Sequence, residues 1–223
     1  MTVRELYAFL NRKIPSALSC DWDNDGLMCC PNENAPVRRV LVALDVTAAV
    51  AEKAIREGYD VILSHHPLIF RPLRALDPAD PVAKKVIRLL CAGVSVMSFH
   101  TRLDAVEGGV NDMLASLLGL KNIEVFYGEG LPMGRVGDLD APTDLVDFAR
   151  KVKVALDAPF VSVTDSKREV KRVAVLGGDG KDYVRAAIEA GADTYVSGRM
   201  SYNVMEEASE MGINLIEAGH YFT

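Results

Sequence analysis

Short apolar runs alternate with amphipathic stretches along the chain, and this alternation predicts the order of its elements. Residues 40–44 and 61–63 are apolar runs of strand length. Between them, apolar residues recur at helical spacing over 48–57, with Thr47 as the expected N-cap and Gly58 as the C-cap. A strand, a helix and a second strand in this order predict a right-handed βαβ unit with parallel strands.

The same pattern occurs a second time. Residues 39–64 align without gaps on residues 172–197. The second copy predicts strands at 173–176 and 194–196, with a helix at 181–190 between them. Two copies of one βαβ unit predict two related α/β halves with largely parallel sheets. The identical pairs are Arg39/Arg172, Val40/Val173, Val42/Val175, Ala54/Ala187, Ile55/Ile188, Gly58/Gly191, Asp60/Asp193 and Ser64/Ser197.

The repeat also suggests a division of the chain into domains. Each copy is followed by a third predicted strand, which begins after Gly93 or Gly212 and leads to a histidine. The stretch between the copies is rich in glycine, which is typical of a connection between structural units. We therefore expect a boundary near residue 126, with a first α/β domain over 1–126 and a second over 127–223.

Composition and charge exclude several classes of protein. The chain is 49% hydrophobic and 25% charged, which is ordinary for a globular protein. A net charge of −6 without a basic run argues against nucleic acid as a partner. No apolar run has the length of a membrane span and the N-terminal residues lack a secretory layout, so we expect a cytoplasmic protein with no membrane partner. Because no C-x-x-C spacing occurs, the adjacent Cys29 and Cys30 are interpreted as free thiols in preference to soft metal ligands.

All four histidines follow a predicted strand. His65 and His66 come after the strand at 61–63, and His100 and His220 come after the third strand of each copy. Parallel strands place binding residues just beyond their carboxyl ends, so these imidazoles are expected to converge on one site. Imidazole and carboxylate together are ligands for zinc, iron or manganese. The sequence therefore predicts a metal centre with two ions.

Asp104 lies four residues after His100 and offers a carboxylate to this centre. A carboxylate can bridge two cations about 3.5–4 Å apart, so Asp104 is the candidate bridging ligand. The alternative is that Asp104 caps the helix predicted to begin near Gly108. His65 and His66 either serve one metal each or divide between metal and substrate, because successive side chains of an extended chain point opposite ways.

Three other features carry further hypotheses. The glycine-rich turn over 177–182 favours either a tight strand-to-helix turn or a nest of backbone N–H groups that binds phosphate. Arg102 is expected to meet an anionic substrate, to face solvent or to pair with Glu107. The polar segment 21–26 around Trp22 is interpreted as a turn with a buried indole.

Several motifs in ordered spacing resemble a known family over the whole chain. They are Trp22-Asp23-Asn24, Ala43-Leu44-Asp45-Val46-Thr47, Ser64-His65-His66-Pro67, His100-Thr101-x-Leu103-Asp104 followed by Gly108-Gly109-x-Asn111-Asp112, and Gly219-His220-Tyr221-x-Thr223. In these motifs the chain is similar to the NGG-interacting-factor-like proteins with a dinuclear metal centre, often named GTP cyclohydrolase type 2 homologues.

The resemblance implies two interlocked α/β domains with mixed, largely parallel sheets, assembled into a toroidal homohexamer. It also implies two divalent metal ions per subunit, for which zinc, iron and manganese are the candidates. We expect a metal-dependent hydrolase that acts on a nucleotide-like or phosphorylated small molecule, with Asp45 and Asn24 supporting the ligands or handling protons. The alternatives are a metal-handling chaperone or insertase and a hexameric scaffold with a structural metal site. The metal ligands implied by the resemblance are His65, His66, His100, Asp104 and His220.

Two positions depart from the family pattern. The family carries a further ligand, a glutamate, four residues after the last histidine, which would be a position beyond Thr223. Without that carboxylate we expect divalent metal to bind less tightly. Family members often carry an acidic residue where Arg199 stands, and a cation there is expected to repel metal or attract an anionic substrate.

Overall fold

A computed structural model describes all 223 residues, which form two compact units, Met1–Leu103 and Asp104–Thr223. Both units combine helices with a sheet, as the sequence predicts. Only the first sheet is largely parallel as expected, with two parallel pairings of three, whereas the second has two of five because a hairpin at one edge and a strand at the other join it antiparallel. The division comes earlier than the boundary expected near residue 126, which lies inside the strand Lys121–Gly128. The second unit begins earlier because the helix Val110–Leu117 packs on its sheet. No helix is both long enough and apolar enough to span a membrane.

The first unit contains a four-stranded sheet and its helices. Its elements are α1 (Val3–Lys13), β1 (Gly26–Cys29), β2 (Val40–Ala43), α2 (Ala48–Arg56), β3 (Val61–Ser64), α3 (Pro81–Cys91) and β4 (Ser95–Ser98), with α4 (Thr101–Ala105) leading into the second unit. The strand order is β1-β4-β3-β2. Strands β2, β3 and β4 are parallel, whereas β1 runs antiparallel to β4 at one edge.

Helices cover both faces of this sheet. Ile62 and Val96 pack with α2 and α3 on one face, whereas Val61 and Met97 pack with α1 on the other. Because successive strand residues point to opposite faces, a sheet covered on both sides needs continuous apolar runs, as the sequence has. Thr47 caps α2 through its side chain, as predicted.

The second unit contains a six-stranded sheet. Its elements are α5 (Val110–Leu117), β5 (Lys121–Gly128), β6 (Leu131–Thr143), α6 (Leu145–Ala155), β7 (Ser162–Thr164), β8 (Val170–Asp179), α7 (Val184–Glu189), β9 (Thr194–Arg199), α8 (Tyr202–Glu210) and β10 (Asn214–Glu217). The strand order is β5-β6-β8-β9-β10-β7. Strands β8, β9 and β10 are parallel, and β5, β6 and β7 run antiparallel to their neighbours.

Strand register confirms the internal repeat. In the first unit β2 and β3 pair with Val40 opposite Val61, and in the second β8 and β9 pair with Val173 opposite Thr194. These pairs occupy equivalent positions in the two copies. The third strand of each copy, β4 or β10, also joins in parallel.

One aspartate in each copy makes the same backbone hydrogen bonds. Asp60 accepts from the N–H groups of Arg38 and Arg39, both at 2.8 Å. Its counterpart Asp193 accepts from the N–H group of Lys171 at 3.0 Å and from that of Arg172 at 2.7 Å. The repeat therefore preserves a hydrogen-bonding role as well as an apolar pattern.

The helix of the second copy is shorter than the predicted 181–190. A 3₁₀ turn at Lys181–Tyr183 comes first, and the α-helix α7 starts only at Val184. Gly180, just before this turn, is closely packed: a Cβ atom there would lie 2.3 Å from the hydroxyl oxygens of Ser197 and Tyr195. The glycine is therefore needed for packing.

The duplication extends beyond the βαβ unit, but the two sheets differ at the side where the first strand of the copy, β2 or β8, lies. A helix and an antiparallel strand precede each copy, α1 with β1 and α6 with β7. The second unit adds α5 and the β5–β6 hairpin, and β6 pairs with β8. The equivalent strand of the first unit, β2, forms the edge of its sheet. Val42 of β2 is 73% exposed, whereas the equivalent Val175 is fully buried.

Candidate metal centre

Three histidines of the first unit form one cluster at the carboxyl ends of β3 and β4. The ring centroids of His65 and His66 lie 4.9 Å apart, and the His100 ring lies 5.2 Å and 5.6 Å from them. One nitrogen from each ring lies within 4.8 Å of the others. A hydrogen bond joins the ends of β3 and β4, since the N–H of Phe99 donates to Ser64 O at 2.9 Å. The expectation that imidazoles gather beyond adjacent parallel strands is confirmed for these three residues.

The Nδ1 atom of each ring has a hydrogen-bond partner that is an oxygen atom. His65 Nδ1 lies 3.0 Å from the carbonyl oxygen of Phe99. His66 Nδ1 lies 2.8 Å from Oδ1 of Asp45. A carbonyl oxygen only accepts, so His65 carries its proton on Nδ1, and the lone pair of the neutral ring is then on Nε2. This arrangement is typical of metal-ligating histidines, whose second nitrogen donates to a carbonyl or a carboxylate.

Asp23 plays the same role for the third histidine. Its Oδ1 lies 2.9 Å from His100 Nδ1, and its Oδ2 accepts from the Thr101 hydroxyl at 2.7 Å. Burial raises the pKa of Asp23, but the hydrogen bonds with His100 and Thr101 outweigh burial, so this pKa lies below its ordinary value. Asp23 is therefore a carboxylate at neutral pH.

The sequence identified one of the two supporting carboxylates. Asp45 was expected near the ligands, and it accepts from His66. Asn24 was also expected there, and its Nδ2 donates to the carbonyl oxygen of Ile69 at 2.5 Å. Its neighbour Asp23 contacts the His100 ring directly. The polar segment 21–26 signalled a special turn, but nothing in it distinguished Asp23 from the other carboxylates.

Arg102 does not face a substrate or solvent. It is fully buried, with Nε 2.8 Å from Oδ2 of Asp25 and one terminal nitrogen 2.6 Å from Oδ1 of Asn11. Its guanidinium lies 4.4 Å from the ring centroid of Phe99. These contacts hold the segment before β1 against the end of β4. Arg102 therefore has a structural role, in place of the expected contact with an anionic substrate, exposure to solvent or pairing with Glu107.

Asp104 and His220 belong to the second unit. Asp104 lies in α4, and its carbonyl oxygen accepts from Asn111 Nδ2 at 3.2 Å. The next helix, α5, has Gly109 as its N-cap, and Asp112 accepts from Gly108 N at 2.6 Å. The expected alternative role of Asp104 as the cap of that helix is therefore wrong.

His220 begins a 3₁₀ turn at the end of the chain, and glycines make room for it. A Cβ atom on Gly178 would lie 3.4 Å from His220 Nε2, and one on Gly198 would lie 2.8 Å from His220 Cα. The Thr223 hydroxyl accepts from Gly178 N at 3.0 Å. Gly177 N likewise donates to Asn111 Oδ1 at 2.8 Å.

These contacts correct the phosphate-nest hypothesis for the turn over 177–182. Two of its N–H groups donate to side chains, and β8 continues to Asp179 instead of ending in a nest. The turn supports the His220 segment. Arg199 is the exposed last residue of β9, and it pairs in register with Asp179.

Two further expectations concern Cys29 and Trp22. Burial raises the pKa of the Cys29 thiol to about 11, so it is protonated at neutral pH and is a poor soft ligand. All four cysteines are free. Trp22, expected to be buried, is instead 52% exposed, and its ring centroid lies 6.4 Å from that of His100.

Comparisons with known proteins agree with this architecture. The sequence model of the family Duf34/NIF3 (NGG1p interacting factor 3) matches residues 1–223. A relative from a Nostoc species, named GTP cyclohydrolase 1 type 2 homolog, is 37% identical over 190 residues, covering 83% of this chain and 72% of the relative. A Bacillus cereus protein related to NIF3 is 27% identical with a TM-score of 0.88, covering 99% of this chain and 88% of that chain. Reduced HcgD from Methanocaldococcus jannaschii is 30% identical with a TM-score of 0.85, covering 100% and 88%.

Proposed function

Because the chain belongs to the Duf34/NIF3 family, we propose that it is a metal-dependent hydrolase centred on His65, His66 and His100. The family resemblance carried by the motifs is thus confirmed, and the hydrolytic activity is the proposal. One observation carries it: three imidazoles have nitrogens within 4.8 Å of one another. Each has an oxygen acceptor at Nδ1 that directs Nε2 as the ligand atom.

The donor set fits a divalent transition metal. Imidazole nitrogen suits zinc, iron and, less strongly, manganese, and three protein ligands are typical of catalytic sites that keep a position open. Following the family resemblance, we propose Asp104 as a bridging ligand and His220 as a further ligand, for two divalent ions per subunit. A divalent ion bound there would act as a Lewis acid and would lower the pKa of a bound water towards neutrality.

The residues of the chain contribute orientation and charge. Asp23 and Asp45 accept from the imidazoles and hold two rings in fixed directions. Their negative charge raises the basicity of the ligating nitrogens. The side chain of Asp23 is fully shielded from solvent, whereas Asp45 is half-exposed. We therefore assign Asp23 to positioning alone, and Asp45 to positioning and to proton exchange with solvent.

The proposed substrate is a nucleotide-like or phosphorylated small molecule. The name GTP cyclohydrolase 1 type 2 homolog, carried by the relatives from Nostoc and Lactococcus lactis, supports a nucleotide. The net charge of −6 favours a small substrate over a nucleic acid polymer, since a net negative chain is repelled by a phosphate backbone.

The test combines metal analysis with a hydrolysis screen over nucleotides and phosphoesters. The wild-type protein is expected to contain zinc, iron or manganese and to hydrolyse at least one member. His100→Ala should lose most of the metal and the activity, because it removes one of three clustered ligands. Arg150→Ala, at an exposed position of α6, is the matched control and should keep both. Hydrolysis that survives in metal-free protein contradicts the proposal.

A metal-handling chaperone or insertase is the second candidate. The observation that favours it is access: the His66 and His100 side chains are 24% and 15% exposed. A cargo ion must leave and enter, and partly exposed ligands permit this. Full metal content with no turnover in the screen, together with rapid exchange into a chelator, would favour this function over hydrolysis. Slow exchange without turnover would favour the scaffold with a structural metal.

We also propose that the chain assembles with copies of itself into a toroidal homohexamer in the cytoplasm. The edge strand β2 supports self-association, because an exposed apolar edge is a site where other chains pair. Val40 and Val42 are exposed on this strand, whereas the equivalent Val173 and Val175 lie in a hydrophobic core. The free cysteines support a reducing compartment.

A further inference from the structure

Two partly exposed aromatic side chains lie beside the histidine cluster in the first unit. Trp22 is 52% exposed and Phe70 is 46% exposed. Their ring centroids lie 6.4 Å and 6.2 Å from that of His100. Aromatic side chains of this size normally bury most of their area, so two that expose ring surface next to candidate ligands need an explanation.

The mutual geometry leaves ring surface for a ligand. The Trp22 and Phe70 centroids are 6.3 Å apart with an interplanar angle of 71°, and each ring is steeply inclined to the His100 ring, at 78° and 87°. In such edge-to-face pairs only one partner presents a face to the other. The indole, which is 52% exposed, keeps surface on which a planar ring can stack.

The two aromatic residues lie on loops that are hydrogen-bonded to each other and to the histidine cluster. Asn24 Nδ2 donates to the carbonyl oxygen of Ile69 at 2.5 Å and so joins the loop of Trp22 to that of Phe70. On either side of Trp22, Asp23 binds His100, and Cys20 N donates to the Thr101 hydroxyl at 3.0 Å. A preorganised surface loses little conformational entropy when it binds a ligand.

We propose that Trp22 and Phe70 form an aromatic platform that binds the planar heterocycle of a nucleotide-type substrate beside the metal ligands. This inference rests on the proposed function and assigns the residues that recognise the substrate. Stacking on an aromatic side chain tolerates different bases, because every base has a π face. The platform would place the heterocycle next to the histidine cluster, and no charged side chain is required for this recognition.

The test uses the emission of Trp22, which is the only tryptophan of the chain. The full-length, zinc-loaded protein is titrated with guanosine monophosphate, and ribose 5-phosphate is the matched ligand without a heterocycle. We expect saturable quenching by the nucleotide and none by the sugar phosphate. Free tryptophan titrated in parallel corrects for light absorbed by the nucleotide.

Variants at the second aromatic position separate stacking from general effects. Phe70→Leu should weaken nucleotide binding by about tenfold, whereas Phe70→Tyr should bind nearly as the wild type does. Trp22→Phe, measured by calorimetry because it lacks the fluorophore, should show an intermediate loss. Unchanged circular dichroism shows that each variant is folded, as expected for exposed positions.

Each outcome bears on the platform. Quenching that is absent, or equal for nucleotide and sugar phosphate, overturns it, and so does protection of Trp22 from acrylamide by a neighbouring subunit. Nucleotide hydrolysis without quenching also overturns the platform but leaves the proposed hydrolase standing. Saturable quenching without any hydrolysis supports the platform and counts against the hydrolase.

Discussion

Among single residues, Asp23 connects the histidine cluster to a distant part of the chain. Its carboxylate meets both His100 and Thr101 while its side chain is shielded from water. In such surroundings a charge-assisted hydrogen bond is stronger than one at an exposed site. The orientation of the His100 ring therefore depends on a residue that is not itself a proposed ligand.

We predict that Asp23→Asn weakens zinc binding by about 10- to 100-fold, the range typical for residues that orient metal ligands. The amide lacks the charge that favours the proton on His100 Nδ1. Asp21→Asn is the matched control, since it removes the same charge from an exposed position of the same loop. Competition titrations with a zinc chelator measure the zinc affinity of both variants. Equal affinities in the two variants would contradict the positioning role of Asp23.

A second residue-scale prediction concerns Asp112 in the second unit. It accepts from the buried Arg135 at 2.5 Å and 3.0 Å. Burial raises the pKa of Asp112, but the hydrogen bonds from Arg135 and Gly108 outweigh it, and this pKa is lowered overall. A lowered folded-state pKa means that the stabilisation is present above the unfolded value, roughly 3.9, and is lost as the pH falls through the folded value.

Asp112→Asn should therefore reduce the free energy of unfolding by about 1.5–3 kcal/mol at neutral pH, and by less below about pH 4. Denaturant titrations at several pH values measure this difference. Asp147→Asn removes an exposed ion pair with Arg150 and should cost less than about 0.5 kcal/mol at any pH. A cost for Asp112→Asn that stays constant down to pH 2 would argue against the lowered pKa.

The candidate site was predictable where it depends on strand ends. His65, His66 and His100 follow apolar runs, and parallel strands align their carboxyl ends, so their convergence follows from local pattern. Asp23 was missed because it reaches the site through β1, whose antiparallel pairing with β4 joins residues that are far apart in sequence. The exposure of Trp22 was missed because the burial of a single aromatic residue depends on its surroundings.

Among the secondary-structure elements, repeated segments were the most predictable, since each copy provides evidence for the other. The register of β2 with β3 and of β8 with β9 follows the alignment of the two copies. The β5–β6 hairpin has no counterpart in the first unit, so the repeat provides no evidence for it, and most of β5 is exposed. The two compact units divide earlier than the expected boundary near residue 126, because α5 and β5 belong to this addition.

The repeat makes a prediction about its paired aspartates. Asp60→Ala and Asp193→Ala should both destabilise the protein, because each removes an acceptor from two strand N–H groups. The loss should be larger for Asp193, roughly 2–3 kcal/mol against 1–2 kcal/mol, since it is buried and also accepts from the Thr194 hydroxyl. Denaturant titrations measure the free energy of unfolding of both variants. A larger loss for Asp60→Ala would contradict the extra stabilisation assigned to the burial of Asp193 and to its hydrogen bond with Thr194.

At the scale of the whole molecule, the exposed edge strand β2 is the feature that a single chain leaves unexplained. Val42 is 73% exposed on β2, although its counterpart Val175 is buried in the core of the second unit.

If copies of the chain cover this strand, Val42→Lys should lower the mass measured by light scattering while leaving circular dichroism unchanged, because a charge on an edge strand opposes pairing with another chain. Val154→Lys, the same change at a 79% exposed position of α6, is the matched control and should keep the wild-type mass. An unchanged mass for Val42→Lys would place the contacts between subunits elsewhere, and a monomeric wild-type protein would contradict the proposed hexamer itself.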